Sequence, residues 1–502
     1  MINVIFGPPG TGKTTDLLNT VDLLLNDGVP PERIGFIAFT RKAANEARDR
    51  AVERFNMTPD RFPWFRTLHS FAFNRMGYGR NNVMGMNDYL KICQVLGLCI
   101  TFKTTGEDGT FNGQTKGDRL FFAENMARAT KVPLRQYWEE HPDEDIYWYE
   151  LERLSTVLSD YKRENDKVDF TDIIMKFNQA GDEVMPDLHT LIVDEAQDLT
   201  PLQWEMVHKL VGNVEEVYIA GDDDQAIFRW AGADVEHLIK LDGHRRILTK
   251  SYRVPSKIQE KASEVAARIS SRVEKVWEPR ELGGEVHYHT SIEHIDMSEG
   301  SWLLLGRNVY LLDQFVEHCS REGFIFDCIT GSPIRGASFR AIKHWEELRQ
   351  GQRIRMAEVV NIYDHMSTKV GVVHGFKRRV EEANPNMTVS IDELRDNWGL
   401  ATDAIWHQAL DKLAPHEVEY FIAAMKRGER LLREPRIKIN TIHGVKGGEA
   451  DNVVILTDMA ERTYREYQQF PDDEHRVWYV AITRARNNLF IIQPSTNRNY
   501  TL

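Results

Sequence analysis

The chain has 502 residues, of which 42% are hydrophobic and 28% charged, a globular composition that excludes disorder as the main state. At about 150 residues per domain, this length corresponds to roughly three folded units. Lys and Arg number 63 against 76 Asp and Glu, and the net charge of −13 excludes a wholly basic nucleic-acid binder but not a locally basic groove.

The first 70 residues alternate short apolar runs with helical stretches. We expect strands over 3–6 and 34–39, and helices over 13–25 and 42–55, because the periodicity of the apolar residues changes between these segments. Strands that alternate with helices predict an α/β body with a parallel sheet.

The rest of the chain repeats this pattern with two interruptions. Residues 120–161 indicate helix, strands are predicted over 188–193 and 217–220, and a second α/β region begins near 251. Its predicted strands cover 302–305, 324–329, 437–440, 453–457 and 489–492, and a helical, charged stretch lies between them. The fold class is therefore α/β with two parallel-sheet bodies, each interrupted by a helical insertion: 1–80 with 166–250, insert 81–165, 251–345 with 432–502, and insert 346–431.

Features of secretion or membrane insertion are not seen. No run approaches the roughly 18 apolar residues of a membrane span, and residues 1–6 lack the pattern of a signal peptide. The cysteines form no C-x-x-C pair, which argues against a zinc ribbon or a disulfide framework. We expect a cytoplasmic protein without a membrane partner.

A phosphate-binding loop is predicted between the first strand and the first helix. Residues 7–14 fit G-x-x-x-x-G-K-[ST] in the required strand–loop–helix context. The loop amides would face phosphates, Lys13 would neutralise them, and the Thr14 hydroxyl would ligate Mg²⁺. ATP and Mg²⁺ are thus the expected ligands, and a Gly-rich turn without function is the disfavoured alternative. The expected nucleotide-binding residues here are Gly7, Pro8, Pro9, Gly10, Thr11, Gly12, Lys13, Thr14 and Thr15.

Two acids end the apolar strand at 188–193. Asp194 is placed to hold the Mg²⁺ shell, and Glu195 to deprotonate the attacking water. On its own, such a pair is more often a solvated strand end; the phosphate loop favours the catalytic interpretation.

Further motifs make the interpretation specific. They occupy residues 38–44, 67–70, 194–198, 221–233, 251–253, 441–449 and 479–485. In this order they resemble the motifs of the UvrD/Rep/PcrA family of superfamily 1A helicases, from residue 4 to about 490. The resemblance implies two RecA-like P-loop domains with helical inserts 1B and 2B. It also implies an ATP-dependent 3′→5′ single-stranded DNA translocase and DNA helicase acting in replication, repair or recombination.

The resemblance also assigns roles in nucleotide chemistry. Tyr252 would stack on adenine and Glu449 would lie near the ribose. Arg253 and Arg484 would contact the γ-phosphate, a task that suits arginine because its guanidinium group is planar, always charged and rich in donors. A surface salt bridge is the alternative for each of these two residues. The implied catalytic residues are Lys13, Glu195, Gln225, Arg253 and Arg484.

The implied DNA contacts are of two kinds. Aromatic side chains would stack on unpaired bases of any sequence, and small polar groups would grip phosphates. Phe39 fits a core position equally well. The stacking residues are Phe39, Phe228 and Trp230, and the backbone-contacting residues are Thr40, His69, Thr441 and His443. The expected partners are single-stranded DNA, single-strand/duplex junctions and an accessory replication, repair or nuclease protein.

Four departures from the family pattern carry expectations. The P-loop strand begins at residue 2 or 3, without the upstream glutamine segment that reads adenine, and Thr15 replaces a nucleotide-contacting arginine. We expect weakened discrimination among NTPs, with Tyr252 as the remaining base contact. The short insert 346–431 puts regulation by 2B in doubt, and the short segment after Arg484 leaves no space for a nuclease domain.

Two alternatives stay open. One is a translocase that strips proteins, or acts as motor partner of a nuclease or defence system, without strong unwinding alone. The other is a P-loop ATPase in binding or signalling, which the two arginines and the aromatic motif disfavour. Residues 225–230 have the 1A form of their motif, against a 5′→3′ relative of superfamily 1B.

Overall fold

The computed structural model describes residues 2–101, 104–105, 110–111, 113, 115–281, 283–429 and 434–502. It divides into two compact units. Unit 1 comprises the residues up to Ser256, Ser263–Glu281 and Phe470–Tyr479; unit 2 comprises Lys257–Ala262, 282–469 and Val480–Leu502. Short parts of the predicted segments 81–165, 346–431 and 432–502 lie outside the described residues, and the four-part domain scheme stays a prediction.

Unit 1 contains a large parallel sheet, two small strand pairs and the helices around them. Its strands are β1 Ile2–Phe6, β2 Ile34–Ile37, β3 Phe65–Arg66, β4 Thr104–Thr105, β5 Thr110–Phe111, β6 Thr190–Val193, β7 Glu216–Gly221, β8 His244–Ile247, β9 Lys250–Pro255 and β10 Glu278–Arg280. Its helices are α1 Lys13–Asn26, α2 Arg41–Phe55, α3 Leu68–Arg75, α4 Met86–Leu96, α5 Lys116–Ala129, α6 Leu134–Glu140, α7 Trp148–Glu164, α8 Phe170–Gln179, α9 Pro201–Val211 and α10 Val235–Lys240, and α11 Ser256–Ala266 has residues in both units.

The main sheet of unit 1 has the order β3-β2-β6-β7-β1-β8, and all its neighbours are parallel. Alternate residues point to opposite faces, so Ile5 joins one apolar core and Phe6 the other. Burial on both faces explains why the central strands are nearly continuous apolar runs. The carboxyl ends of parallel strands share one sheet edge, where such folds bind ligands.

Unit 2 follows the same plan around a second sheet. Its strands are β11 Glu285–His289, β12 Trp302–Gly306, β13 Phe326–Cys328, β14 Ile354–Arg355, β15 Thr388–Val389, β16 Ile437–Thr441, β17 Ala450–Leu456 and β18 Ala485–Ile492. Its helices are α12 Asp313–Glu322, α13 Ala337–Arg349, α14 Met356–Asp364, α15 Phe376–Glu381, α16 Ile391–Asn397, α17 Trp406–Ala409, α18 Pro415–Lys426 and α19 Glu461–Gln469. The last helix, α20 Pro471–Ile482, has residues in both units.

The second sheet has the order β11-β18-β17-β12-β16-β13, again with parallel neighbours. The helices between β13 and β16 pack around their own apolar core, which includes Trp345, Tyr363 and Trp406. The predicted α/β class with parallel sheets is therefore confirmed. In the described part of the chain, no helix combines the length and apolarity needed to cross a membrane.

The local predictions are refined at several points. The helical stretch predicted over 120–161 is divided into α5, α6 and α7, with Pro133 just before α6. The charged stretch 346–431 contains a small antiparallel pair, β14 with β15, besides its helices. Strands β8 and β11 were not predicted, because the exposed His and Arg residues of β8 and the alternating polar residues of β11 give no apolar run.

Candidate functional site

The loop after β1 bends through two left-handed glycines. Gly10 has φ 75° and Gly12 has φ 78°, a conformation that costs glycine little. The Thr11 hydroxyl donates to the Pro8 carbonyl at 2.8 Å, which closes the loop on itself. Helix α1 starts directly after Gly12, which provides no side-chain cap, and an uncapped helix N-terminus beside such a loop is suited to phosphate.

Lys13 lies folded over this loop. Its Nζ donates to the Gly7 carbonyl at 2.9 Å and lies 3.8 Å from the Glu195 Oε1 atom. A Cβ on residue 7 would lie 2.0 Å from the Lys13 Cγ atom, so any other residue there would displace the Lys13 side chain. The ammonium group is thus held between the Gly7 carbonyl and the Glu195 carboxylate.

Thr14 and Asp194 form a direct hydrogen bond across the site. The Thr14 hydroxyl donates to the Asp194 Oδ2 atom at 2.9 Å. Burial, and then the neighbouring Glu195 carboxylate, raise the pKa of Asp194 to about 6. A buried carboxylate beside a hydroxyl fits Mg²⁺, which prefers oxygen ligands and would stabilise the ionised form.

Glu195 has an unusual backbone. Its φ of 56° and ψ of 40° are left-handed, which costs a non-glycine residue about 1–2 kcal/mol. Its side chain is one-third exposed, and its Oε2 atom accepts from the Gln197 amide at 2.5 Å. Strain at a partly exposed acid beside Asp194 is typical of a functional position.

A hydrogen-bonded chain joins Glu195 to Gln225. The Gln197 Oε1 atom accepts from the Asp222 backbone N–H at 3.0 Å, and the Gln225 side-chain amide donates to the Asp222 Oδ2 atom at 2.6 Å. Gln197 and Asp222 are fully buried. Sequence reasoning did not single out either residue, although both lie within the quoted motifs, because their partners become visible only in the tertiary structure.

The segment 251–253 is attached to the phosphate loop. The Ser251 hydroxyl donates to the Pro9 carbonyl at 2.7 Å, and the Tyr252 N–H donates to the Gly10 carbonyl at 2.8 Å. A Cβ on Gly10 would lie 2.3 Å from the Arg253 Cβ atom. This attachment brings Arg253 to the loop within unit 1, and the Tyr252 ring is exposed.

The three aromatic residues predicted to stack on DNA bases lie together. The Phe39 and Phe228 rings are stacked with centroids 5.7 Å apart, and Trp230 meets Phe228 edge-on at 6.3 Å. Phe39 also packs against the apolar core, while Trp230 is 41% exposed. Phe39 therefore joins the cluster to the apolar core, and the exposed Trp230 ring provides a surface on which a base could stack.

Two other predicted DNA contacts of unit 1 also have structural roles. Thr40 caps α2 by accepting from the Ala43 N–H at 3.1 Å, and His69, in the first turn of α3, meets Phe170 edge-on at 5.9 Å. Their contacts with DNA stay predictions.

Arg484 belongs to unit 2 and is buried there. Its Nε donates to the Val480 carbonyl at 3.0 Å and its Nη1 to the Gly448 carbonyl at 3.3 Å. Glu449, next in sequence to Gly448, forms an ion pair with Arg486.

Thr441 is the last residue of β16, also in unit 2, and His443 follows it closely. The Thr441 Oγ1 atom accepts from the Gly444 N–H at 3.2 Å. The residues predicted for one function are thus divided: most lie at the sheet edge of unit 1, and these two lie in unit 2 with Arg484 and Glu449.

Comparisons with known proteins agree with this organisation. A model of the UvrD/REP helicase N-terminal domain matches residues 2–245, and a model of the UvrD-like helicase C-terminal domain matches residues 342–496. The ATP-dependent DNA helicases PcrA of Staphylococcus aureus and Staphylococcus epidermidis are 26% and 25% identical over 323 residues. The match covers 59% of this chain and 42% of each relative, so it spans less than half of their length.

Among solved structures, a complex of an arterivirus nonstructural protein 10 helicase with DNA covers 99% of this chain and 61% of its own chain. Its 9% identity and TM-score of 0.32 are too low to show a shared fold. The two domain models, in their order along the chain and with the PcrA matches, show that the chain belongs to the UvrD/Rep/PcrA-like superfamily 1A helicases.

Proposed function

We propose that this protein is an ATP-dependent single-stranded DNA translocase and DNA helicase that moves 3′→5′. One observation carries the proposal: a phosphate loop, an acid pair and a half-exposed aromatic cluster follow neighbouring strands of one parallel sheet. Nucleotide chemistry and base stacking therefore arise from one rigid element, which is what coupling ATP turnover to DNA movement requires. The relatives named PcrA, which are described as ATP-dependent DNA helicases, support the same activity.

The chemistry is divided among residues of unit 1 and Arg484 of unit 2. Lys13 would offset phosphate charge, and the Thr14 and Asp194 oxygens would hold Mg²⁺, which supplies charge neutralisation when bound. Glu195, one-third exposed, would accept the proton of the attacking water at its carboxylate. Gln225 would sense the γ-phosphate, and Arg253 and Arg484 would stabilise the charge that develops on it.

DNA binding would rest on Phe39, Phe228 and Trp230, with backbone contacts from Thr40, His69, Thr441 and His443. Stacking contributes about 1–3 kcal/mol per base without sequence preference. Tyr252 and Glu449 would contact the base and ribose of ATP. Replication, repair or recombination, in the cytoplasm and with an accessory protein, is the proposed setting.

The decisive experiment is an unwinding assay with 3′-tailed, 5′-tailed and blunt duplexes, each with ATP and Mg²⁺. We expect unwinding of the 3′-tailed duplex alone, and none with Lys13→Ala, because that variant lacks the phosphate-binding ammonium group. Unwinding of only the 5′-tailed duplex would overturn the polarity.

A parallel assay on single-stranded DNA blocked by streptavidin separates the second candidate function. Displacement of streptavidin without strand separation would favour a translocase that strips proteins or serves a nuclease. ATP hydrolysis that is indifferent to single-stranded DNA would contradict both functions.

A further inference from the structure

Residues 270–275, which we call the strap, clamp the turn that contains Gln225. The Ser270 and Ser271 N–H groups donate to Asp472, at the start of α20. The Arg272 guanidinium donates two bonds to the Asp224 carboxylate, at 2.8 and 2.6 Å. The Val273 N–H donates to the Asp223 Oδ2 atom at 2.7 Å. All these contacts lie within unit 1.

Lys275 ends the strap inside a cluster of three consecutive carboxylates. Its Nζ lies 3.2 Å from Asp222, 2.5 Å from Asp223 and 2.9 Å from Asp224, and the lysine and aspartate side chains are at most 1% exposed. Arg476 adds bonds from its guanidinium to the Asp223 and Ser271 carbonyls. A buried ammonium group shared by three acids holds the whole turn in one conformation.

The charges of this cluster depend on one another. Burial alone would lower the pKa of Lys275, but the carboxylates of Asp222, Asp224 and Asp223 outweigh it and raise this pKa. Burial raises the pKa of Asp223, and Lys275 opposes that shift. Removing one member of a buried, paired set leaves an uncompensated charge, which is strongly unfavourable.

Asp222 connects the cluster to the nucleotide site. One of its carboxylate oxygens lies by Lys275, while the other accepts from the Gln225 amide, and its N–H donates to Gln197, which in turn donates to Glu195. We infer that Lys275 is a positioning residue for ATP hydrolysis, because it fixes Asp222 and thereby orients Gln225. This role rests on the proposed hydrolytic function. Lys275 itself lies 50 residues after Gln225 in the sequence.

The test is a double-mutant cycle of Lys275→Met with Gln225→Ala, measured as DNA-stimulated phosphate release. We expect Lys275→Met to lower kcat about tenfold per nucleotide-binding site, with Kd for a non-hydrolysable ATP analogue and for single-stranded DNA changed less than about threefold. If Lys275 acts through Gln225, the double variant should match Gln225→Ala, since residues that act as a unit are not additive. Independent, multiplying effects would overturn the inference.

Lys162→Met is the matched control. Lys162 also lies in a nearly buried ionic cluster of unit 1, with Asp169 and Asp172, and within the described residues it forms no bond to the nucleotide site. The Lys162→Met substitution should lower the melting temperature and leave kcat per nucleotide-binding site unchanged. A fall in kcat equal to that of Lys275→Met would mean that any lost buried cation has this effect, which contradicts positioning.

Lys275→Met with Asp223→Asn is the second variant, in case the single change impairs folding. It removes one cation and one anion, so the net charge of the cluster is unchanged. We expect near wild-type melting with kcat still low; full recovery of kcat would show that only charge balance matters and would overturn the inference. An inactive wild type overturns the proposed function and this inference together, whereas an active wild type with an additive cycle overturns this inference alone.

Discussion

Unit 1 and unit 2 share an architecture and differ in where they hold charge. Each is built on six parallel strands. Unit 1 buries Lys275 completely among carboxylates, and Arg128 with Asp169 lies nearly buried in a second cluster. In unit 2, the pair of Glu449 with Arg486 is a quarter to a half exposed. Unit 2 also buries a charged side chain, that of Arg484, which donates to the Val480 and Gly448 carbonyls.

The difference teaches that sheet topology supplies positions for side chains, and that a buried charge beside the nucleotide site, such as that of Lys275, can fix their orientation. A buried ion pair adds little to stability compared with apolar packing, so a fold keeps one where it fixes a geometry. Unit 2 instead packs apolar side chains, including Trp345 and Trp406, around its helices. If this contrast is correct, substitutions of matched kind should act differently in the two units.

The largest expected effect is on Glu195 in unit 1. Glu195→Gln should keep nucleotide binding and lower kcat by about 10²–10⁴-fold, the usual contribution of a general base. Phosphate release with single-stranded DNA measures kcat, and a fluorescent nucleotide measures binding. Glu215→Gln, on the same unit and 67% exposed, is the control; near-normal turnover in Glu195→Gln would reject Glu195 as the base.

Arg484 tests whether unit 2 contributes to the chemistry at all. Arg484→Ala should lower kcat by about 10²-fold, the order expected for removing one preorganised donor. It should also lower the melting temperature, because the guanidinium bonds the Val480 and Gly448 carbonyls. The exposed Arg462→Ala is the control. If only the melting temperature changes, Arg484 is structural and the contrast between the units becomes sharper.

Trp230 and Thr441 compare the DNA contacts of the two units. Trp230→Ala should weaken single-stranded DNA binding by about 1–3 kcal/mol, since a stacking surface is lost. Thr441→Ala should cost about 1 kcal/mol, the net value of one hydrogen bond. Fluorescence anisotropy with labelled oligonucleotides measures both. If Thr441→Ala lost more DNA-binding free energy than Trp230→Ala, the stronger DNA contact would lie in unit 2, and the expectation would be contradicted.

The smallest expected effect is on acid stability. Burial would raise the pKa of Asp169, but Arg128 and Lys162 outweigh it and hold this pKa well below its usual value of 3.8. A depressed carboxylate pKa contributes stability above pH 3.8 and loses it as pH falls below that value. Asp169→Asn should therefore melt lower than wild type at pH 6, by a few °C, and the gap should narrow between pH 4 and pH 3.

Differential scanning fluorimetry across this range measures the gap, with Asp187→Asn as an exposed control. A gap that does not change with pH would mean that the ionised form of Asp169 is not what stabilises unit 1.

Local pattern was enough to predict much of this molecule. The phosphate loop, the acid pair and the buried strands such as β6 are contiguous in sequence, so periodicity and motif spacing reveal them. Lys275 could not be predicted in the same way, because its partner Asp223 lies 52 residues away and any surface lysine gives the same sequence signal. The exposed edge strand β8 likewise has no apolar run, and its pairing depends on β1.

The left-handed backbone at Glu195 limits which residues can replace glutamate there without backbone strain. Asparagine and glycine adopt that conformation at little cost, whereas glutamine is strained there to the same degree as glutamate. Glu195→Asn would thus remove the acid and also relieve the backbone strain. The inactive variant would therefore gain conformational stability. The same reasoning favours Glu195→Asn over Glu195→Gln as a durable reagent for capturing the nucleotide-bound protein.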